Sequence, residues 1–140
     1  MTKKLLLVDD DRVERSLIVD ALGGFDDVDV VVVGDGRQAL DYLRRNGPDS
    51  LEAPSVVFLD LGMPNVNGFE VLREFQKQAG ANRVPIVVFT SSIYEADVYL
   101  SYQFGANAFV VKPAEPGRLQ EIARIAAEFW LHSNVLPPVR

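Results

Sequence analysis

The sequence predicts an α/β fold built on a five-stranded parallel sheet. Five short runs of almost unbroken apolar residues recur along the chain, as strands buried on both faces require. Between them apolar residues return at helical spacing, and Gly or Pro closes most of these segments. Strand alternating with helix implies parallel pairing through right-handed crossovers.

In order, residues 4 to 9 form the first run, which ends in Asp9-Asp10-Asp11. From Arg12 to Leu22 the positions Val13, Leu17, Ile18, Ala21 and Leu22 follow helical spacing, and Gly23-Gly24 stops the helix. A second strand spans Val28 to Val33, and Gly34-Asp35-Gly36 makes a turn. The next helix carries Ala39, Leu40 and Leu43 to about Asn46, where Gly47-Pro48 ends it; Asp49 to Pro54 reads as a loop. Strand three is Ser55 to Asp60, and the helix after it carries Val71, Leu72, Phe75 and Ala79 before Gly80. Strand four is Val84 to Phe89; Thr90-Ser91-Ser92 then leads into a helix from about Tyr94 to Phe104, stopped by Gly105. Ala108 to Val111 is strand five, ended by Lys112-Pro113. The last helix, about Pro116 to Leu131, opens with Pro at a tolerated first-turn position and is expected to bury Leu119, Ile122, Ala123, Ala126 and Trp130.

Of the two strand orders common in such sheets, the flavodoxin-like order 2-1-3-4-5 sets strands one and three side by side at the switch point, where ligands bind beyond the carboxyl ends. Asp9 and Asp10, Asp60, Thr90 and Lys112 would then ring one crevice. Residues 1–140 are expected to form a single domain, with a core of about 3–131 and a short tail 132–140 that is too short to fold alone. No Cys and only one His leave little for disulfide, thiolate-metal, zinc or triad chemistry. A net charge of −6 without a basic cluster argues against direct nucleic-acid binding. The apolar runs are too short for a membrane span or signal core, so a cytoplasmic location is expected.

Three neighbouring carboxylates repel one another unless a cation compensates. All-oxygen ligands favour a hard ion, Mg²⁺ or Mn²⁺. Mg²⁺ and the Lys112 ammonium balance three acids, which poises the crevice for phosphoryl oxygens, with a Thr hydroxyl as donor and an Asp oxygen as in-line nucleophile. Each residue also has a plainer explanation. Asp9, Asp10, Asp60 and Thr90 could each cap the helix that follows, Asp11 reads as a cap, and Lys112 could snorkel to the surface.

Val8-Asp9-Asp10, Phe58-Leu59-Asp60-Leu61-Gly62-Met63-Pro64 with Gly68, Phe89-Thr90-Ser91 and Lys112-Pro113 resemble the signature set of two-component response-regulator receiver domains. Thr90 lies thirty residues and Lys112 fifty-two beyond Asp60, as in that family, and the likeness covers nearly the whole chain. The resemblance implies that Asp60 accepts a phosphoryl group from a phosphohistidine of a sensor histidine kinase. It implies that Asp9, Asp10, Asp60 and the backbone carbonyl of Gly62 hold Mg²⁺, and that Thr90 and Lys112 grip the phosphoryl oxygens. It further implies a cis Lys112–Pro113 peptide, a switch pairing Thr90 with Phe109, and Gly62 and Ser92 as positions that tune dephosphorylation.

No output domain is expected beyond the last helix, so the chain reads as a stand-alone regulator acting on an unknown downstream protein. It is expected to catalyse nothing beyond its own phosphorylation and dephosphorylation. Excess apolar residues on helix four, with Ile125 and Phe129 on the last helix, suggest a homodimer through the helix four, strand five and helix five face. The wording around Asp41-Tyr42-Leu43-Arg44-Arg45 and Phe129-Trp130-Leu131 is similar to small regulators paired with bacteriophytochrome kinases. A haloacid-dehalogenase-like phosphatase would need an Asp where Gly62 stands. A flavodoxin-like nucleotide binder would need a phosphate loop in place of three acids. A phosphate-independent scaffold, a relay intermediate or a phosphate sink stays open.

Overall fold

The apolar runs become five parallel strands in a computed structural model that describes residues 2–47, 50–63, 66–79 and 84–136. They are β1 (Lys3–Val8), β2 (Val28–Val33), β3 (Val56–Leu59), β4 (Ile86–Thr90) and β5 (Ala108–Val111), in the order β2-β1-β3-β4-β5. Helices α1 (Arg12–Leu22), α2 (Gly36–Arg45), α3 (Gly68–Ala79), α4 (Glu95–Gln103) and α5 (Pro116–Glu128) link and follow the strands. A π-helical turn, Phe129–Ser133, extends α5. Among the described residues no helix is long and apolar enough to cross a membrane.

Register explains the continuous runs. Leu6, Val8, Val57, Leu59, Ile86 and Val88 face one layer, where Val71, Leu72 and Phe75 of α3 and Ala39 of α2 pack. Their neighbours Leu5, Leu7, Val56, Phe58, Val87 and Phe89 face the other, against Ile18 and Leu22 of α1 and Leu119 and Ala123 of α5. Both faces of the three central strands are thus covered, and every position wants an apolar side chain. On edge strand β2 the pattern loosens, with Asp29 and Val32 exposed.

Local chemistry fixes the helix starts. The Asp11 carboxylate accepts from the N–H groups of Val13 and Glu14, both at 3.0 Å, so its expected role as a cap is met. Asp35 accepts from Gln38 N–H at 2.8 Å, while the Gln38 amide oxygen accepts from Gly34 N–H at 2.6 Å. Glu115 accepts from Gly117 and Arg118 ahead of α5, with Pro116 in the first turn. After α4 the chain turns at Gly105, whose φ of +102° suits glycine alone, and a β-carbon there would strike Gln76.

Several expectations shift. Strand three is trimmed to Val56–Leu59 and strand four moves to Ile86–Thr90, because Pro85 has no N–H to give the ladder and Lys112 N–H extends it to Thr90 at 2.7 Å. The last α-helix stops at Glu128, where Asn134 N–H bonds back five residues to Phe129. Along this helix and turn Leu131 and Ala127 are buried, while Ile122 and Trp130 pack against the core and are half-buried. Val13 is 70% exposed, since α1 presents Ile18 and Leu22 to the core. Thr90 is a strand residue and no cap; α4 begins from Tyr94 without a side-chain cap bond. Among the described residues every peptide bond is trans, Lys112–Pro113 included. Trans is the lower-energy isomer before Pro, and Lys112 already reaches its carboxylate partners with it. Pro48, Asp49, Pro64, Gly80 and the end of the tail, 137–140, lie outside the described residues.

Candidate functional site

The carboxyl ends of β1, β3, β4 and β5 converge on one open cleft of about 900 Å³. Asp9 follows β1 directly and is fully buried, and exposed Asp10 comes next. Asp60 follows β3 and is half-buried, Thr90 closes β4 and is buried, and Lys112 leaves β5 with its side chain only 2% exposed. The five polar residues expected to ring the crevice are therefore together.

Asp60 is gripped on both oxygens. Its Oδ1 accepts from the Thr90 hydroxyl at 2.9 Å and from Gly62 N–H at 3.3 Å, and its Oδ2 accepts from Lys112 Nζ at 3.2 Å. Lys112 Nζ also donates to Asp9 Oδ2 at 2.7 Å, and Asp11 N–H donates to Asp9 Oδ1 at 2.8 Å. None of the plainer explanations accounts for this. Lys112 does not snorkel outward, and Asp9, Asp60 and Thr90 turn toward one another instead of capping a helix.

The site is short of positive charge. Burial pushes the Asp9 carboxyl above its ordinary value, and the Lys112 ammonium only partly offsets this. Burial pulls Lys112 down, but Asp60 and Asp9 outweigh it and leave the amine above the usual lysine value, so it stays charged. One oxygen from each of Asp9, Asp10 and Asp60 can be chosen so that the three lie within 4.8 Å of one another. Oxygens sharing one octahedral Mg²⁺ sit roughly 3–4 Å apart, so a small inward movement fits a hard divalent ion to this donor set. Among the described residues, no hydrogen bond from the protein occupies the Asp10 carboxylate, which leaves it free to serve as a ligand.

A fourth acid was not foreseen. Glu14, in the first turn of α1, places Oε2 3.5 Å from Lys112 Nζ and lines the cleft. Burial pushes its carboxyl up as well, against the pull of Lys112. Its one sequence signal is an acid four residues after Asp10, one helical turn on, which is also the commonest pattern of a solvated helix face. The Ser92 hydroxyl, at one of the two expected tuning positions, is engaged with Asp97 Oδ2 at 2.5 Å. At the other, Gly62, a β-carbon would meet nothing within 4 Å, so the space beside Asp60 is open. Phe109 is half-buried on β5 opposite Val88, on the sheet face that Thr90 shares.

Residues 5–124 match the family described as the response regulator receiver domain. The response regulator Rcp1 of Synechocystis sp. is 31% identical over 96% of this chain and 93% of its own length. The crystal structure of its Mn²⁺-bound form superimposes with a TM-score of 0.87, covering 97% of this chain and 99% of that one. A phosphorylated cyanobacterial phytochrome response regulator, RcpA, is 36% identical with a TM-score of 0.91, over 99% of this chain and all of its own. The bacteriophytochrome response regulator RtBRR is 41% identical with a TM-score of 0.72, over all of this chain and 85% of its own.

Proposed function

The chain belongs to the response regulator receiver domain family, and from that membership we propose that it accepts a phosphoryl group on Asp60 from a phosphohistidine of a sensor histidine kinase. The observation that carries this is the grip on Asp60. A hydroxyl, a backbone N–H and an ammonium already point at its two carboxylate oxygens, and these donors suit the equatorial oxygens of a phosphoryl group bonded there.

An Asp60 oxygen attacks phosphorus in line, the phosphorus–nitrogen bond of the donor breaks, and its electron pair returns to the ring nitrogen, so that a phosphohistidine already protonated on its other ring nitrogen leaves as neutral imidazole. Thr90 and Lys112 take the oxygens on which charge develops. Mg²⁺, or Mn²⁺ in its place, would be held by Asp9, Asp10, Asp60 and the Gly62 carbonyl, and when bound supplies charge neutralisation at the phosphoryl oxygens. Asp9, buried and tied to Lys112, keeps the ammonium in place through the transfer.

Thr90 and Phe109 form the switch. Both lie on one face of adjacent strands, so a Thr90 drawn toward the phosphoryl group opens space into which the Phe109 ring moves, and the α4, β5 and α5 surface changes. That surface carries exposed Tyr99, Tyr102, Val111 and Ile125, which supports a homodimer through this face. A monomer mass by light scattering over a wide concentration range, with and without phosphorylation, would contradict the dimer. Likeness to two phytochrome-linked regulators supports a bacteriophytochrome as the kinase. The transfer itself is tested by intact mass after incubation with acetyl phosphate and Mg²⁺. A gain of one phosphoryl group is expected, absent from Asp60→Asn and from metal-free protein; an equal gain in Asp60→Asn would refute the assignment.

A further inference from the structure

Lys112 carries three N–H donors and faces three carboxylates: Asp9 at 2.7 Å, Asp60 at 3.2 Å and Glu14 at 3.5 Å. Asp9 is the buried anchor and Asp60 the proposed acceptor. Glu14 belongs to neither role, yet its side chain, 29% exposed, lines the cleft while the Lys112 side chain lies beneath it at 2%. We infer that Glu14 is a positioning residue of this site, a third holder of the Lys112 ammonium whose negative charge favours the cation and opposes the phosphoryl group. The inference rests on the receiver assignment made above.

The charge count gives the sign. Asp9, Asp10 and Asp60 are balanced by a divalent cation and Lys112, so Glu14 leaves the loaded site at one net negative charge. Converting the Asp60 carboxylate to an acyl phosphate adds another negative charge beside it. The two Lys112 contacts put Glu14 Oε2 within about 7 Å of Asp60 Oδ2, near enough for a Coulomb effect of about tenfold in affinity across a partly wet cleft. Glu14 also draws the ammonium toward itself as an ion pair at 3.5 Å, away from the phosphoryl oxygens, which acts in the same direction. Removing its charge therefore weakens the cation and strengthens the phosphoryl mimic. A side chain that merely packs has no means of moving the two in opposite senses.

The test measures Mg²⁺ affinity by calorimetry and fluoroberyllate affinity at saturating Mg²⁺ by fluorine NMR, on the wild type, Glu14→Gln, Glu14→Asp and Asp60→Asn. Fluoroberyllate bonded to an Asp oxygen carries the charge and shape of the acyl phosphate. Glu14→Gln should bind Mg²⁺ about tenfold more weakly and fluoroberyllate about tenfold more tightly. Glu14→Asp, which keeps the charge, should stay within about twofold of wild type on both. Asp11 still caps α1 in both variants, so the helix is kept. If Glu14→Gln weakens both ligands, or changes neither, the inference falls while the receiver assignment stands. If wild type takes up no fluoroberyllate, or Asp60→Asn takes it up equally, both fall.

Discussion

Replacing Lys112 with Met keeps most of the buried stem and removes the ammonium. The Lys112 side chain is 2% exposed and that of Asp9 0%, so the substitution leaves Asp9 as a buried carboxylate with no cation at 2.7 Å. Breaking one side of such a pair costs roughly 3–5 kcal/mol. The Asp11 N–H still donates to Asp9, and Asp60 and Glu14 reach partial solvent, so the low end is expected: about 3 kcal/mol, or about 10 °C in Tm for a chain of this size. The loss should respond to pH and to metal. With Lys112 gone, burial raises the Asp9 folded-state pKa further above its unfolded value, and a carboxyl raised in this way is most stabilising when protonated. The deficit against wild type should therefore shrink as pH falls from about 7 toward about 5, and excess Mg²⁺ should narrow it at about pH 7 by supplying the missing charge. Urea and thermal unfolding followed by circular dichroism, with chelator and with Mg²⁺ at each pH, read all of these quantities. A Lys112→Met variant as stable as wild type in chelator, or a deficit that Mg²⁺ and acid leave unchanged, would refute the account of the charge balance.

Thr90→Ala removes the hydroxyl that donates to Asp60 at 2.9 Å, a bond to a charged group, and should lower transition-state stabilisation by about 2 kcal/mol. Phosphorylation by acetyl phosphate should slow about thirtyfold in a rapid-quench assay, and Thr90→Ser should restore most of the rate. Asp11→Ala loses a cap bonded to two N–H groups and should cost about 1 kcal/mol in urea unfolding, whereas Asp10→Ala should cost little without metal. His132 bonds Glu128 at 2.8 Å through one ring nitrogen and Asp27 through the other, so Glu128 and then Asp27 raise its pKa. The stability it adds is complete below its unfolded value of about 6.5 and is lost as pH rises through the higher folded value. The Tm of His132→Gln should lack that decline, and a wild-type Tm flat across the window would contradict it.

How much was legible in the sequence follows from where each residue sits. The order and extent of the strands were readable because β1, β3 and β4 are covered on both faces, which leaves unbroken apolar runs. Gly and Pro marked most element ends for backbone reasons that hold in any context. Pro85 carries the signal that trims strand four, since a residue without an N–H cannot donate to the ladder. The π-helical turn at Phe129–Ser133 has no sequence period of its own, so the full burial of Leu131 is not legible, while Ile122 and Trp130 face the core as their spacing predicts but are only partly covered. Asp9, Asp60, Thr90 and Lys112 were found because strand ends of a parallel sheet share one edge whatever the helices do. Glu14 was missed because its approach to Lys112 depends on how α1 is rotated over that edge, which packing against α5 decides.

Borohydride trapping of protein phosphorylated by a phosphohistidine donor in Mg²⁺, followed by peptide mass spectrometry, identifies the acceptor residue. Reduction of an aspartyl phosphate converts that one residue to homoserine. Conversion at Asp60 and at no other aspartate is the predicted result; conversion at Asp9 or Asp10 instead, or phosphorylated protein with no reducible residue, would contradict it.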